Sequence, residues 1–432
     1  MNENSTLRDY LVEHCNESMK RALSVERYPL WKRSCPKLKD GDFTRLGLLR
    51  CISPVDSGRH FLQTTDEVHG EVRPNTTYFT SLQSSRRTDM LEALEEQSYT
   101  IHCESMAVEE IDYLKQFPQL SDYTIEAADG HFMDHACHTP TGSNGKVYAT
   151  GFIYAMNLRN GLLRPLCCIT NGTTRHHEIP ILRRHIEQQN RKKSHSGKSL
   201  YVYDKAVMDY TWWNGQKRHN NYMISVLKEN STAILVEEIP FDKSSEVNTG
   251  VESYGLYESK GVKFSVVKYR DPETGKLHNF ISTLPGAIYP GIIAMLYYKR
   301  WTIEKAFNNS KSNLKEKKAW SPNENVLKNQ MRFTAMTYNI MRVFEEISKI
   351  QDPELVHPSD KKYTEALDKR DQNAKKQGGF INPLFFQKRI VRISSRTIRA
   401  VQNAILTGKT LASLMSALID RLVPRGRTIA EH

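Results

Sequence analysis

Residues 297–315 read YYKRWTIEKAFNNSKSNLK. Neither Gly nor Pro occurs between Tyr297 and Lys318, so this stretch is expected to form one helix. At about 100° per residue, Tyr297, Arg300, Glu304 and Lys311 fall within about 60° of one another. Asn308 and Lys315 extend the same stripe, while Trp301, Ile303, Ala306 and Phe307 face elsewhere. One polar face thus carries a carboxylate, flanking cations and a phenol. Such a face would hold a metal ion through Glu304 and phosphates through the rest. A solvated helix with i,i+4 and i,i+7 charge pairs gives the same pattern, so its meaning depends on what the rest of the chain brings to it.

The segments before this helix alternate between strand and helix patterns. YTIEAADGH, from Tyr123, is strand-like, with Asp129 at its end. GKVYATGFIYAMNLRNG and LLRPLCCITN follow as two further strands, joined by a turn at Asn160-Gly161. A helix begins near Ile179, SLYVYD is a short strand ending at Asp204, AVMDYTWWNGQKRHN is helical or irregular, and NYMISVLKE is another strand. This succession is the layout of a mixed α/β, ribonuclease-H-like domain. Residues 230–290 hold TAILVEEI, GVKFSVVKY and HNFISTL, with a turn at DPETG, and read as a β insertion before the key helix. A second helix, about Asn323 to Ser348, carries Leu327, Met331, Met336, Ile340 and Phe344 as core positions.

The flanks read differently. Residues 1–115 look helical and are expected to form a DNA-binding region; short helices around Arg86-Arg87, with caps at Asn75 or Thr76 and at Ser84 or Ser85, suit a helix-turn-helix unit. A purely structural helical lobe fits the same pattern. The catalytic domain is expected over 116–350. Residues 351–432 form a basic C-terminal region, where Arg389, Arg392, Arg396 and Arg399 share one helix face suited to tracking phosphates or to packing on an acidic subunit surface.

The formal net charge is +12 over 432 residues, which points to a polyanionic partner, nucleic acid first. Seven cysteines with no CxxC pair indicate reduced thiols rather than a disulfide framework. The opening MNENSTLRDYLVEHC has no apolar signal core, and the longest apolar run, interrupted by Pro290, is too short to span a bilayer. A soluble protein of the cytoplasm, associated with a bacterial nucleoid, is therefore expected.

Three acids on separate elements, Asp129, Asp204 and Glu304, would be able to hold two divalent ions about 3.5–4 Å apart. Mg²⁺ suits hard oxygen ligands, and Mn²⁺ is expected to substitute. The spacing of Tyr297, Arg300, Glu304 and Lys311 is the Y-R-E-K signature of the IS4-type DDE transposases, which the chain resembles from about Tyr123 to Ile350. The resemblance implies cut-and-paste transposition by a homodimer on paired double-stranded transposon ends, with transfer to target DNA. It makes Asp129, Asp204 and Glu304 the catalytic, metal-binding triad. Tyr297, Arg300 and Lys311 would grip DNA near the cleavage point, helped by Lys315 and Lys205. An inactive, DNA-binding descendant and an RNase H-like nuclease are the alternative functions.

Several positions depart from the family pattern or compete with it. His131 stands where a small hydroxyl residue is common, and Lys205-Ala206 replaces Arg-Gly, keeping a charge but losing the bidentate fork. No Trp lies between Trp213 and Trp301, so Tyr254, Tyr257, Phe264 or Tyr289 would have to stack a flipped base. HFMDHACH, His131 to His138, has four zinc-type ligands but no closed zinc spacing, and reads rather as a loop after the first strand. Asp134, Asp209 and Glu316 rival the three chosen acids, and Trp212-Trp213 reads as core. His176-His177 with Arg183, Arg184, Arg191, Lys192 and Lys193 reads as a solvated or DNA-facing helix end.

Overall fold

A computed structural model describes residues 37–53, 57–69, 75–136, 150–169, 178–192, 197–204, 209–228, 231–271, 275–301 and 318–351, with a few positions between and beyond them. The strands are β1 (Tyr123–Met133), β2 (Thr150–Asn157), β3 (Leu163–Ile169), β4 (Lys198–Val202), β5 (Asn221–Val226), β6 (Ile234–Glu238), β7 (Val251–Ser259), β8 (Val262–Arg270) and β9 (Leu277–Ser282). They form one nine-stranded sheet in the order β3-β2-β1-β4-β5-β9-β8-β7-β6. β3, β2 and β1 are antiparallel neighbours, while β4 and β5 run parallel to β1. That half is the ribonuclease-H-like arrangement.

The helices are α1 (Asp40–Ile52), α2 (Gly58–His69), α3 (Asn75–Leu82), α4 (Ser85–Val108), α5 (Glu178–Lys192), α6 (Tyr210–Gln216), α7 (Pro290–Lys299) and α8 (Glu324–Gln351). Strand alternation sorts the sheet into two apolar faces. Ala127, Val202, Ile224, Val267 and Phe280 join a core that includes residues of α1, α4, α7 and α8. Their sequence neighbours Ala128, Tyr201, Met223, Val266 and Ile281 pack instead with Ile181 and Leu182 of α5 and Trp213 of α6. The expected core positions of α8, from Leu327 to Phe344, are all buried. Gly161 turns β2 into β3 at φ +74°, a conformation that favours glycine.

The structure differs from sequence expectation in four places. The β insertion is continuous with the main sheet, because β9 pairs antiparallel with β5. β1 runs on to Met133, so Asp129 lies inside the strand, opposite Tyr154, and His131 to Met133 are strand rather than loop. β4 ends at Val202, with Asp204 two residues beyond it, although Tyr203 still donates its N–H to Ile224 at 3.0 Å. The expected helix from Tyr297 to Lys318 is shorter. Ile303, Glu304, Ala306 and Phe307 are helical, but Leu314 sits in a bend and Lys318 bridges to Asp134. Backbone pairing with the end of β1 and burial of Leu314 and Ala319 outweigh helix propensity there.

α7 is seated through its N-terminus. Gly291 donates its N–H to Asn248 Oδ1 at 3.1 Å, and a Cβ on Gly291 would come within 1.8 Å of the Val247 carbonyl oxygen. Because that neighbour is backbone, Gly291→Ala is expected to lower stability by about 3 kcal/mol. Thermal unfolding reads this directly, and an unchanged midpoint would contradict the seating.

Candidate active site

β1 and β4 set the first two acids at one level. Their parallel register ends at Ala127 opposite Val202, and Asp129 and Asp204 each lie two residues further on. Ala127 and Val202 belong to the core shared with α7, so period-two alternation brings Asp129 and Asp204 onto the α7 side. The chain after α7 then supplies Arg300 and Glu304. Ile303, Ala306 and Phe307 are buried beside them and anchor this segment. That leaves Glu304 about half exposed at 46% of its side chain.

Arg300 ties the cluster together. Its Nη1 lies 3.4 Å from Asp129 Oδ2, and its Nη2 lies 2.9 Å from Glu304 Oε1. Tyr297 donates its hydroxyl to Asp204 Oδ1 at 3.4 Å. The guanidinium also sits against the Tyr297 ring, 5.5 Å from its centroid. Tyr297, Arg300, Asp129, Asp204 and Glu304 therefore converge. Lys205, Lys311, Lys315, Arg389, Arg392, Arg396 and Arg399 lie outside the described residues.

The electrostatics follow from this packing. Burial pushes the Asp129 carboxyl upward; the Gly130 N–H and Arg300 pull it down, and Glu304 and Asp204 push it up again, for a net rise. Burial opposes the Arg300 charge, but Tyr297, Glu304, Asp129 and Asp204 together hold the guanidinium firmly protonated. Burial also raises the Tyr297 phenol, with Arg300 opposing and Asp204 reinforcing the rise. Asp129 and Arg300 thus both shift upward despite being partners, because desolvation outweighs the guanidinium at the carboxyl.

The donor chemistry suits a hard divalent ion, since three carboxylates face a common region. Their spacing does not yet make a chelate. Among the described residues, no three His, Cys, Asp or Glu side chains lie close enough to hold a metal ion. Arg300, interposed between Asp129 and Glu304, is the resident cation.

Two competing acids have structural roles. Asp209 Oδ1 accepts from the Trp212 N–H at 3.0 Å, capping α6, and the carboxylate pairs with Arg183 at 2.5 Å. Asp134 belongs to the bridge with Lys318. Glu316, Cys137 and His138 lie outside the described residues. His131 is buried edge-on against Phe307, 5.1 Å between ring centroids. Of the candidate base-stacking aromatics, Tyr254 and Phe264 are buried in the core, whereas Tyr289 is exposed at the N-cap of α7.

Sequence reading missed the residues that hold α7 in place. Tyr298 donates its hydroxyl to Asp271 Oδ2 at 2.9 Å, and Asp271 is buried. The DPETG pattern announces a turn at Asp271, not a buried acceptor. Lys299, at 6% exposure, is another residue that sequence reading passed over. Burial lowers its ammonium from the ordinary 10.5 to about 8. The unfolded chain keeps this proton to higher pH than the native one, so stability should rise as pH rises from about 8 to 10.5. Lys299→Met should gain up to about 3 kcal/mol at neutral pH and flatten that rise, as measured by urea midpoints across the pH range.

The fold and site thus define a mixed α/β protein with a ribonuclease-H-like sheet and an acidic, arginine-bridged cluster at the β1–β4 switch. No family model and no curated protein matches the chain. A solved structure, the cryo-EM structure of a piggyBac transposase synaptic complex with hairpin DNA, aligns at 11% identity with a TM-score of 0.38. That alignment covers 97% of this chain and 84% of the other. The fold is defined by the strand order and pairing directions of the sheet.

Proposed function

We propose that the chain is a DDE-type DNA transposase that cuts DNA at the ends of a mobile element and joins them to a target. One observation carries the reading: Asp129 within β1 and Asp204 just beyond the adjacent parallel strand β4 stand at the same register level, and Arg300 links Asp129 to Glu304. The Y-R-E-K spacing adds to it, since Tyr297 and Arg300 of that motif lie against Asp204 and Asp129. The net charge of +12 suits a DNA substrate. The finer features, namely IS4-like cut-and-paste chemistry, a homodimeric synaptic complex and Mg²⁺ with Mn²⁺ as substitute, belong to the same proposal.

In this reading Asp129, Asp204 and Glu304 would hold the divalent ions. Bound there, the ions would activate water or a 3′-hydroxyl and stabilise the leaving oxygen. The chain's own residues prepare that site. β1 and β4 fix two carboxylates by backbone register, so little reorganisation is needed at that pair. Arg300 neutralises Asp129 and Glu304 while no ion is bound, and it is placed to turn toward a phosphate when one arrives. Tyr297 orients the Asp204 carboxylate.

A second reading has its own support. With Arg300 between the acids and no three-acid metal group among the described residues, a non-catalytic DNA-binding descendant would have the same geometry. A labelled duplex carrying the flanking inverted repeat, incubated with Mg²⁺ or Mn²⁺, separates the two. Cleavage followed by joining to a second DNA establishes the transposase. Cleavage without joining makes it a nuclease, and binding without cleavage under either metal makes it the descendant.

A further inference from the structure

Three rings stand between the strands around Asp129 and the segment that carries Glu304. His131 follows Asp129 by two residues on β1, and Tyr154 lies directly opposite Asp129 on β2. Strand alternation and cross-strand pairing put these three side chains on one face of the sheet. Phe307 follows Glu304 by three residues, so the two are neighbours on one helical turn. Its ring meets both of the others, 5.1 Å and 71° from His131, and 5.8 Å and 46° from Tyr154. All three are buried, at 2% exposure for His131, 1% for Tyr154 and 7% for Phe307. The Tyr154 hydroxyl donates to the Met331 carbonyl at 3.4 Å, which ties this ring to α8.

The ion pairs alone do not place Glu304. Arg300 and Glu304 ride on the same segment, so their 2.9 Å bond fixes neither of them against β1. Arg300 reaches Asp129 at 3.4 Å, a long contact for a charged pair. Glu304 is half exposed, where water screens an ion pair and weakens its hold. Tyr297 ties α7 to Asp204, beyond the neighbouring strand. A ring seated between two other rings resists displacement, because each shift loses close contact on one side.

We propose that His131 and Tyr154 are positioning residues: by clasping Phe307 they hold Glu304 against the strand of Asp129, so that the two carboxylates can share a divalent ion. The shared ion rests on the reading above; the clasp itself does not.

His131→Ala removes one ring, and His131→Phe keeps an aromatic edge in its place. Leu182→Ala, in the apolar layer on the other side of the sheet, controls for stability lost elsewhere. Mn²⁺ affinity is measured for each, well below its melting temperature, from the free-ion spin-resonance signal. We expect His131→Ala to bind about tenfold more weakly, the size of effect that follows loss of a ligand's supporting contact. His131→Phe should stay within about threefold of the parent. Leu182→Ala should melt lower yet bind Mn²⁺ like the parent. In a cleavage assay at limiting Mn²⁺, His131→Ala should lose kcat, regain it with excess Mn²⁺ and keep the parent's KM for DNA. Should His131→Ala fail to fold, Phe307→Leu keeps the bulk and removes the ring edges. Parent-like Mn²⁺ affinity in the ring variant overturns the proposal. A second arm needs neither metal nor DNA. Urea unfolding with a chelator gives the cost of Arg300→Gln in the parent and in the ring variant. If the clasp holds Asp129 and Glu304 in place around Arg300, that cost shrinks by about threefold or more in the folding constant, because coupled sites are not additive. Strict additivity overturns the clasp. A parent that binds no Mn²⁺ ends the metal reading, and the urea comparison then decides the clasp alone.

Discussion

Asp129→Ala is expected to abolish metal-dependent DNA cleavage, lowering its rate about a thousandfold or more, while DNA binding without divalent ions stays within a few-fold of the parent. The magnitude follows from the several kcal/mol that ion-held charge stabilisation contributes to a transition state, each 1.4 kcal/mol being about tenfold in rate. Asp204→Ala and Glu304→Ala should behave alike, because the loss of any member breaks the same constellation. Their combined loss should fall far short of additive. Asp209→Ala is the informative control. Its carboxylate caps α6 and pairs with Arg183, so it should lower stability and leave the cleavage chemistry of the folded fraction intact. Full cleavage in Asp129→Ala would end the proposal; full loss in Asp209→Ala at unchanged stability would point to the wrong second acid.

The second large effect concerns Arg300. It is 5% exposed and touches both Asp129 and Glu304. Removing one partner of a buried ionic cluster typically costs about 3–5 kcal/mol. Because Glu304 is half exposed, Arg300→Gln should sit at the lower end, about 3 kcal/mol, in the presence of a chelator. The same change uncovers the acids. Titration with Mn²⁺, read by the loss of its free spin-resonance signal, should show tighter binding in Arg300→Gln than in the parent. Mn²⁺ should also recover part of the lost melting temperature. Arg300→Lys keeps the charge but not the two-ended reach, so it should fall between the two. If Arg300→Gln bound Mn²⁺ no more tightly than the parent and remained equally stable, the arginine would not be the cation that the ions replace.

Much of this was legible in the chain. The strands from Tyr123 to Val226 announce themselves as runs of strand-forming residues bounded by turns. The methionines and Phe344 of α8 announce a buried face, and Ser84 announces a helix start that its side chain does cap. Asp129, Asp204, Tyr297, Arg300 and Glu304 are named by residue type and spacing, and the fold gathers all of them. β7 was hidden, since VESYGLYES mixes polar and apolar residues without clean alternation. Asn248 and Asp271 were hidden as well, because a short polar residue near a turn looks the same whether it faces water or a helix.

The sequence by itself determined which faces are apolar, where most elements begin, and which side chains are chemically fit for an acidic site. Those properties are local: they depend on residue type and on periods of 2 and 3.6. Only the tertiary structure decided that the strands close into one sheet, that Lys318 pairs beside Asp134 instead of continuing a helix, and that Lys299 is buried. It also decided that Arg300, rather than open space, lies between the acids. Each of these turns on which distant groups meet and on the desolvation that follows, and no local pattern records a partner more than a hundred residues away.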